Sequence, residues 1–259
     1  MNISHLIVNG CSYTYGQGLP DRLNQNWPTL LAKSLNVPCI NLATPGSSNT
    51  AIHRKTYEYI LQNSETGSVP LVVIAWTMYW REERFVVYNK DDAGFRQIGL
   101  LHPNRNGSFM EPCYKLNVDE LGMNWHDDYH LARTLLLKHS LIQLLENLNI
   151  PYIMTDYQQD SDMFVEHIRY FKPSYRTMWN KIKENTKHLP NSIVYYTQNM
   201  DKCEDGHDGI ESQKFIAGYL KNHIDAVYGN ITPSGAKFIE IKDYSEELAN
   251  DVWTVARLR

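Results

Sequence analysis

Five short runs of the 259-residue chain are apolar at nearly every position: HLIVNG (5–10), CINLA (39–43), LVVIAW (71–76), PYIMTD (151–156) and SIVYYT (192–197). A strand covered on both faces carries an unbroken apolar run, whereas a half-exposed strand alternates. Between the runs lie WPTLLAKSL (27–35), NTAIHRKTYEYILQN (49–63), DDYHLARTLLLKHSLIQLLENLN (127–149) and SYRTMWNKIKENTK (174–187), whose apolar positions recur every three or four residues. These spacings predict crossover helices. Strands alternating with helices predict an α/β fold, a three-layer doubly wound sandwich around a mainly parallel sheet of about five strands, with ligands at the carboxyl ends of the strands.

One connection breaks the alternation. From about Tyr79 to Asp127 the chain carries scattered glycines, prolines and aromatics without a sustained period. A connection this long inside a domain is usually functional, often a lid, and it leaves the end of the third strand, over the ligand edge. The organisation expected is an α/β domain over 1–228, with 79–127 inserted as a lid, and a C-terminal extension over 229–259. Within that extension YSEELANDVWTVARLR (244–259) places Leu248, Val252, Val255 and Leu258 at helical spacing, which predicts a helix docked on the body or on another subunit of a homo-oligomer.

Composition narrows the function. With 42% hydrophobic and 12% aromatic residues the chain can bury a full core, and a formal charge of −4 leaves no basic surplus for nucleic acid. No run approaches the roughly 18 apolar residues of a membrane span, and the N-terminus enters a strand without the basic start of a signal peptide. A cytoplasmic or particle-associated protein is expected, with no membrane partner. Four cysteines, Cys11, Cys39, Cys113 and Cys203, lie far apart with no Cys-x-x-Cys pair, so free thiols are expected rather than a zinc site or disulfides.

The first strand stops at GCSYTYGQG (10–18). A serine bracketed by glycines at the carboxyl end of a strand can sit on a sharp turn, its Oγ beyond the sheet and backbone N–H groups around it. An ordinary glycine-rich βα turn would read the same way, so a base is needed to tell them apart. Near the other end, CEDGHDGIESQKFIAGYLKNHI (203–224) sets Glu204 and Asp205 ahead of His207, in a loop that enters a helix. An acid beside a histidine there can orient the imidazole and stabilise its charged form.

These segments together resemble the SGNH hydrolases, or GDSL esterases and lipases. GCSYTYGQG resembles the first block, with Ser12 at the nucleophile. NLATPGSSN (41–49) resembles the second, whose glycine, here Gly46, gives an N–H to the oxyanion hole. LVVIAWTMYWREE resembles the third, and DGHDGIESQKFIAGYL the last, with His207 and its acid. The resemblance runs in order from about residue 5 to 224. It implies a flavodoxin-like fold and hydrolysis of an ester, such as a carbohydrate O-acetyl group or another small acyl group, without metal or other cofactor. Ser12 would attack, His207 would carry the proton, and the N–H groups of Ser12 and Gly46 with Thr77 would hold the oxyanion.

Three positions depart from the pattern. Cys11 replaces the aspartate of the first block and puts a thiol beside the serine. Thr77 stands where the third block has an asparagine, and its hydroxyl can donate one bond in its place. The acid is Glu204 by the family's usual spacing of three, or Asp205 by residue type and by the Asp-Gly-His turn of the family's shorter variants. Arg81 is a candidate for binding an anionic part of the substrate, or for a surface ion pair with a neighbouring glutamate. His126 and His130 in WHDDYH (125–130) have the spacing of a helical zinc pair, but the same letters make a helix start and no third ligand is near, so no metal is expected. The alternative to an esterase is a non-catalytic α/β ligand-binding module, to which Cys11 and Thr77 lend weight.

Overall fold

The computed structural model describes residues 1–63, 68–79, 81–89, 92–99, 127–157, 173–234 and 241–243. Nine strands are described: β1 (Asn2–Ile3), β2 (Leu6–Asn9), β3 (Cys39–Asn41), β4 (Leu71–Trp76), β5 (Arg81–Asn89), β6 (Asp92–Gly99), β7 (Tyr152–Asp156), β8 (Thr232–Pro233) and β9 (Ile241–Asp243). The helices are α1 (Ser12–Tyr15), α2 (Arg22–Gln25), α3 (Trp27–Leu35), α4 (Asn49–Asn63), α5 (Asp127–Asn147), α6 (Pro173–Glu184), α7 (Ile193–Thr197) and α8 (Ile210–Tyr228). Five strands form one parallel sheet in the order β7-β4-β2-β3-β9.

The unbroken apolar runs are explained by what each face meets. Along β4, Leu71, Val73 and Ala75 join one core with Trp27 and Leu31 of α3 and Ile216 and Leu220 of α8. The alternate residues Val72, Ile74 and Trp76 join the other, with Ile52 of α4, Leu135 of α5 and Trp179 of α6. Both faces are dry, so the period of two shows in the packing and not in the letters. The sheet is doubly wound, as the alternation predicts.

One predicted strand is a helix. Residues 192–197 form α7, whose Ser192 side chain accepts the Tyr195 N–H at 3.3 Å as an N-cap. The outer edge of β7 is met instead by residues 187–189, where Met154 N donates to Lys187 O at 2.8 Å and Leu189 N to Met154 O at 2.9 Å. Pro190 and the capping serine then turn the chain away from the sheet. The fifth strand is β9, which pairs Cys39 with Ile241 and Asn41 with Asp243. It comes from the stretch expected to be an extension, 229–259.

Within 79–127, β5 and β6 form an antiparallel pair that sets Phe85 opposite Phe95. Arg54 of α4 holds it, donating to both oxygens of Glu83 at 2.7 and 3.0 Å. The rest of the expected lid, the terminal helix over 244–259, His126 and Cys113 lie outside the described residues. Among those described, Cys11 and Cys203 are free cysteines, and no helix is long and apolar enough to cross a membrane.

Candidate active site

Ser12, Gly46 and Thr77 follow the carboxyl ends of β2, β3 and β4, three neighbouring parallel strands, and therefore lie on one edge of the sheet. Ser12 is the first residue of α1, after the extended N-cap Cys11, and is 4% exposed. Its N–H, in the first turn of a helix, has no intrahelical acceptor. Gly46 is the third residue of a turn in which Ser47 N donates to Thr44 O at 3.3 Å; its φ of +75° suits glycine and leaves its N–H outside the turn's own bond.

Asn49, at the start of α4, pins the third position. Thr77 N donates to Asn49 Oδ1 at 2.8 Å, and Asn49 Nδ2 donates to Thr77 O at 3.0 Å. The Thr77 hydroxyl accepts from Arg81 Nη1 at 3.1 Å, so its own proton is left to donate. Arg81 thus sits behind Thr77, and its carbonyl accepts from Arg133 of α5 at 3.4 Å.

The histidine loop arrives from the far end of the chain. Cys203 N donates to His207 O at 2.8 Å and Gly206 N to Cys203 O at 2.9 Å, closing a tight turn. This turn folds Asp205 back on His207: Oδ1 accepts the His207 N–H at 3.1 Å, and Oδ2 lies 3.0 Å from Nδ1. The second approach is short but off the line of the ring N–H, an ion-pair contact rather than an aligned hydrogen bond. Partial burial pushes the Asp205 carboxyl up, yet the His207 N–H, the imidazole charge and the Gln17 side chain outweigh it and hold the carboxyl below its usual range. Glu204 is exposed, and no hydrogen bond or ion pair among the described residues joins it to His207.

Contacts with the serine turn seat this loop. The Tyr13 ring lies 4.5 Å from the His207 ring and stacks on Tyr157 at 3.6 Å. Tyr157 donates to Asp208 at 3.2 Å, and Asp208 pairs with Lys202. Gln213 of α8 accepts from Trp27 N at 2.8 Å and donates to Tyr13 O at 3.4 Å. No hydrogen bond among the described residues links Ser12 Oγ to His207 directly; Tyr13 and Gln213 make the connection. Sequence reading missed Tyr13, Tyr157 and Asn49. The first was detectable as the neighbour of Ser12, and Asn49 as the last letter of NLATPGSSN. His130 is buried on α5.

Gly18 is required by this approach. A Cβ there would stand 2.6 Å from Asp205 Oδ1 and 2.8 Å from Cys203 Cβ, and its φ is +84°. Gly18→Ala is expected to cost about 1–2 kcal/mol of stability by chemical denaturation. It should also displace Asp205 from His207, because the carboxylate must move.

No family model matches the sequence, and no curated protein matches it. Solved structures do. The crystal structure of TesA aligns with a TM-score of 0.51 at 15% identity, covering 88% of this chain and 99% of that one. A carbohydrate esterase family 2 enzyme with a carbohydrate-binding domain, from Corynascus thermopiles (Myceliophthora fergusii), aligns at 0.50 and 14% identity, over 87% of this chain and 67% of that one. The fold is that of the SGNH hydrolases. On the SGNH fold of this chain, Ser12, Gly46, Thr77 and the His207 loop stand at the sheet edge where an open α/β sheet takes its ligand.

Proposed function

We propose that the chain is a serine esterase that removes a small acyl group from a carbohydrate or a similar alcohol. The observation that carries this reading is the seating of the Asp205–His207 pair against the Ser12 turn, through Tyr13 and through the space left by Gly18. His207 takes the Ser12 proton as Oγ adds to the ester carbonyl, and returns it to the departing alcohol; water then repeats the two steps on the acyl-enzyme. The N–H groups of Ser12 and Gly46 and the Thr77 hydroxyl receive the oxyanion, Arg81 orienting the last. No step uses a metal. The carbohydrate assignment draws support from the family 2 carbohydrate esterase that shares the fold.

The test is turnover of p-nitrophenyl acetate together with labelling by a fluorophosphonate. An esterase shows both, with the label on Ser12; a non-catalytic binding module shows neither.

Residues 79–127 are proposed as the lid, anchored by the Arg54–Glu83 pair. Replacing 84–126 with a short Gly/Ser linker keeps Thr77, Arg81 and Glu83. It is expected to spare p-nitrophenyl acetate within about tenfold and to reduce turnover of acetylated oligosaccharides far more, since remote contacts orient the larger substrate. Equal losses on both, with a native circular dichroism spectrum, would reject the lid.

A further inference from the structure

Lys55 of α4 is only 9% exposed, and the reaction above does not use it. Its Nζ donates to Thr44 Oγ1 at 2.8 Å. Thr44 Oγ1 lies 2.6 Å from Ser47 Oγ, and Thr44 O accepts the Ser47 N–H at 3.3 Å. Thr44 Oγ1 therefore joins the ammonium to the Ser47 hydroxyl, and a hydrogen-bonded chain runs from Lys55 across the turn. Pro45 and Gly46 occupy the middle of that turn, Gly46 with a φ of +75°. Lys55 therefore braces the segment that presents the Gly46 N–H.

Among the described residues no carboxylate forms an ion pair with Lys55. Glu83 of β5 and Glu58 of α4 act on it from farther away and favour its charge, while Arg54 of α4 opposes it. Burial, acting in the same direction as Arg54, outweighs the two carboxylates and pulls the ammonium pKa down to about 8. A buried lysine without a carboxylate is unfavourable for folding alone. Its placement behind an oxyanion donor gives it a use.

We infer that Lys55 is a positioning residue for ester hydrolysis, holding the Thr44–Ser47 turn so that the Gly46 N–H meets the developing oxyanion, with a positive charge behind it. The inference rests on the esterase reading. It also dictates a sign: the charged, bracing form exists below the lysine pKa and is lost as pH rises through about 8.

Accordingly, kcat/KM for p-nitrophenyl acetate is expected to fall about tenfold above pH 8, mostly in kcat, where a serine–histidine enzyme would otherwise hold a plateau. Cys11→Ala should keep the fall, which separates it from ionisation of the neighbouring thiol. Lys55→Arg, whose charge does not titrate in this range, should remove it. Lys55→Met should be about ten- to a hundredfold slower at pH 7. A flat wild-type profile between pH 7 and 10, or a fall that persists in Lys55→Arg, overturns the inference. If the Lys55 variants do not fold by circular dichroism, the profiles of the wild type and Cys11→Ala, read by turnover and by the rate of fluorophosphonate labelling, decide alone. Absence of turnover and labelling at every pH overturns the esterase reading and this inference with it; turnover with a flat profile overturns only the inference.

Discussion

Ser12→Ala is expected to lower kcat for p-nitrophenyl acetate by about 10⁴-fold or more and to abolish fluorophosphonate labelling, while leaving the denaturation midpoint close to that of the wild type. The side chain sits at the start of a one-turn helix whose backbone bonds, Tyr15 N to Cys11 O at 2.9 Å and Gly16 N to Ser12 O at 3.0 Å, do not involve the hydroxyl. Removing that oxygen takes the nucleophile and little packing. The residual rate would report what the oxyanion donors and His207 achieve with water. Retention of more than a tenth of the activity would sink the assignment, and Cys11, the adjacent buried thiol, would become the nucleophile to test.

The second large effect separates the two candidate acids. Asp205→Asn is expected to cost about 10³- to 10⁴-fold in kcat, since an amide favours the wrong imidazole tautomer and cannot stabilise the imidazolium. Glu204→Gln should stay within about twofold, because that side chain points to solvent. The reverse ranking would hand the role to Glu204. The pH dependence has a definite sign: because the Asp205 carboxyl is held below its ordinary value, its contact with His207 is complete above about pH 4 and is lost as pH falls further. Across neutral pH it stays ionised.

How far the letters reached can be argued from a few residues. The placement of Ser12 and Gly46 was legible because each lies in a short glycine-marked turn after an apolar strand run, and parallel winding brings such ends to one edge; His207 was marked instead by the acidic pair before it and the helix after it. Glu204 and Asp205 could not be separated, because one residue of spacing says nothing until Gly206, at a φ of +85°, turns the loop and aims one carboxylate at the ring. The run at 192–197 was misread because four apolar letters suit a buried helix turn as well as a strand, and the decision lay in the Ser192 cap. The strand that completes the sheet, Ile-Lys-Asp at 241–243, carries almost no apolar signal; pairing with β3 makes it a strand. Lys55 looked like one more polar letter of an amphipathic helix, since its partner Thr44 comes from the loop before that helix.

The all-parallel order of the main sheet also bears on how the molecule comes into being. Each parallel pair needs a crossover, so the sheet is built from contacts distant in sequence, and such topologies fold slowly. The serine turn and the histidine loop are separated by roughly 200 residues of chain, and they meet only when α8 docks and Gln213 closes over Trp27 and Tyr13. A chain growing on the ribosome therefore carries its serine long before it carries a base. On the esterase reading proposed above, nascent chains and truncated forms that end before His207 lack the base and are inert.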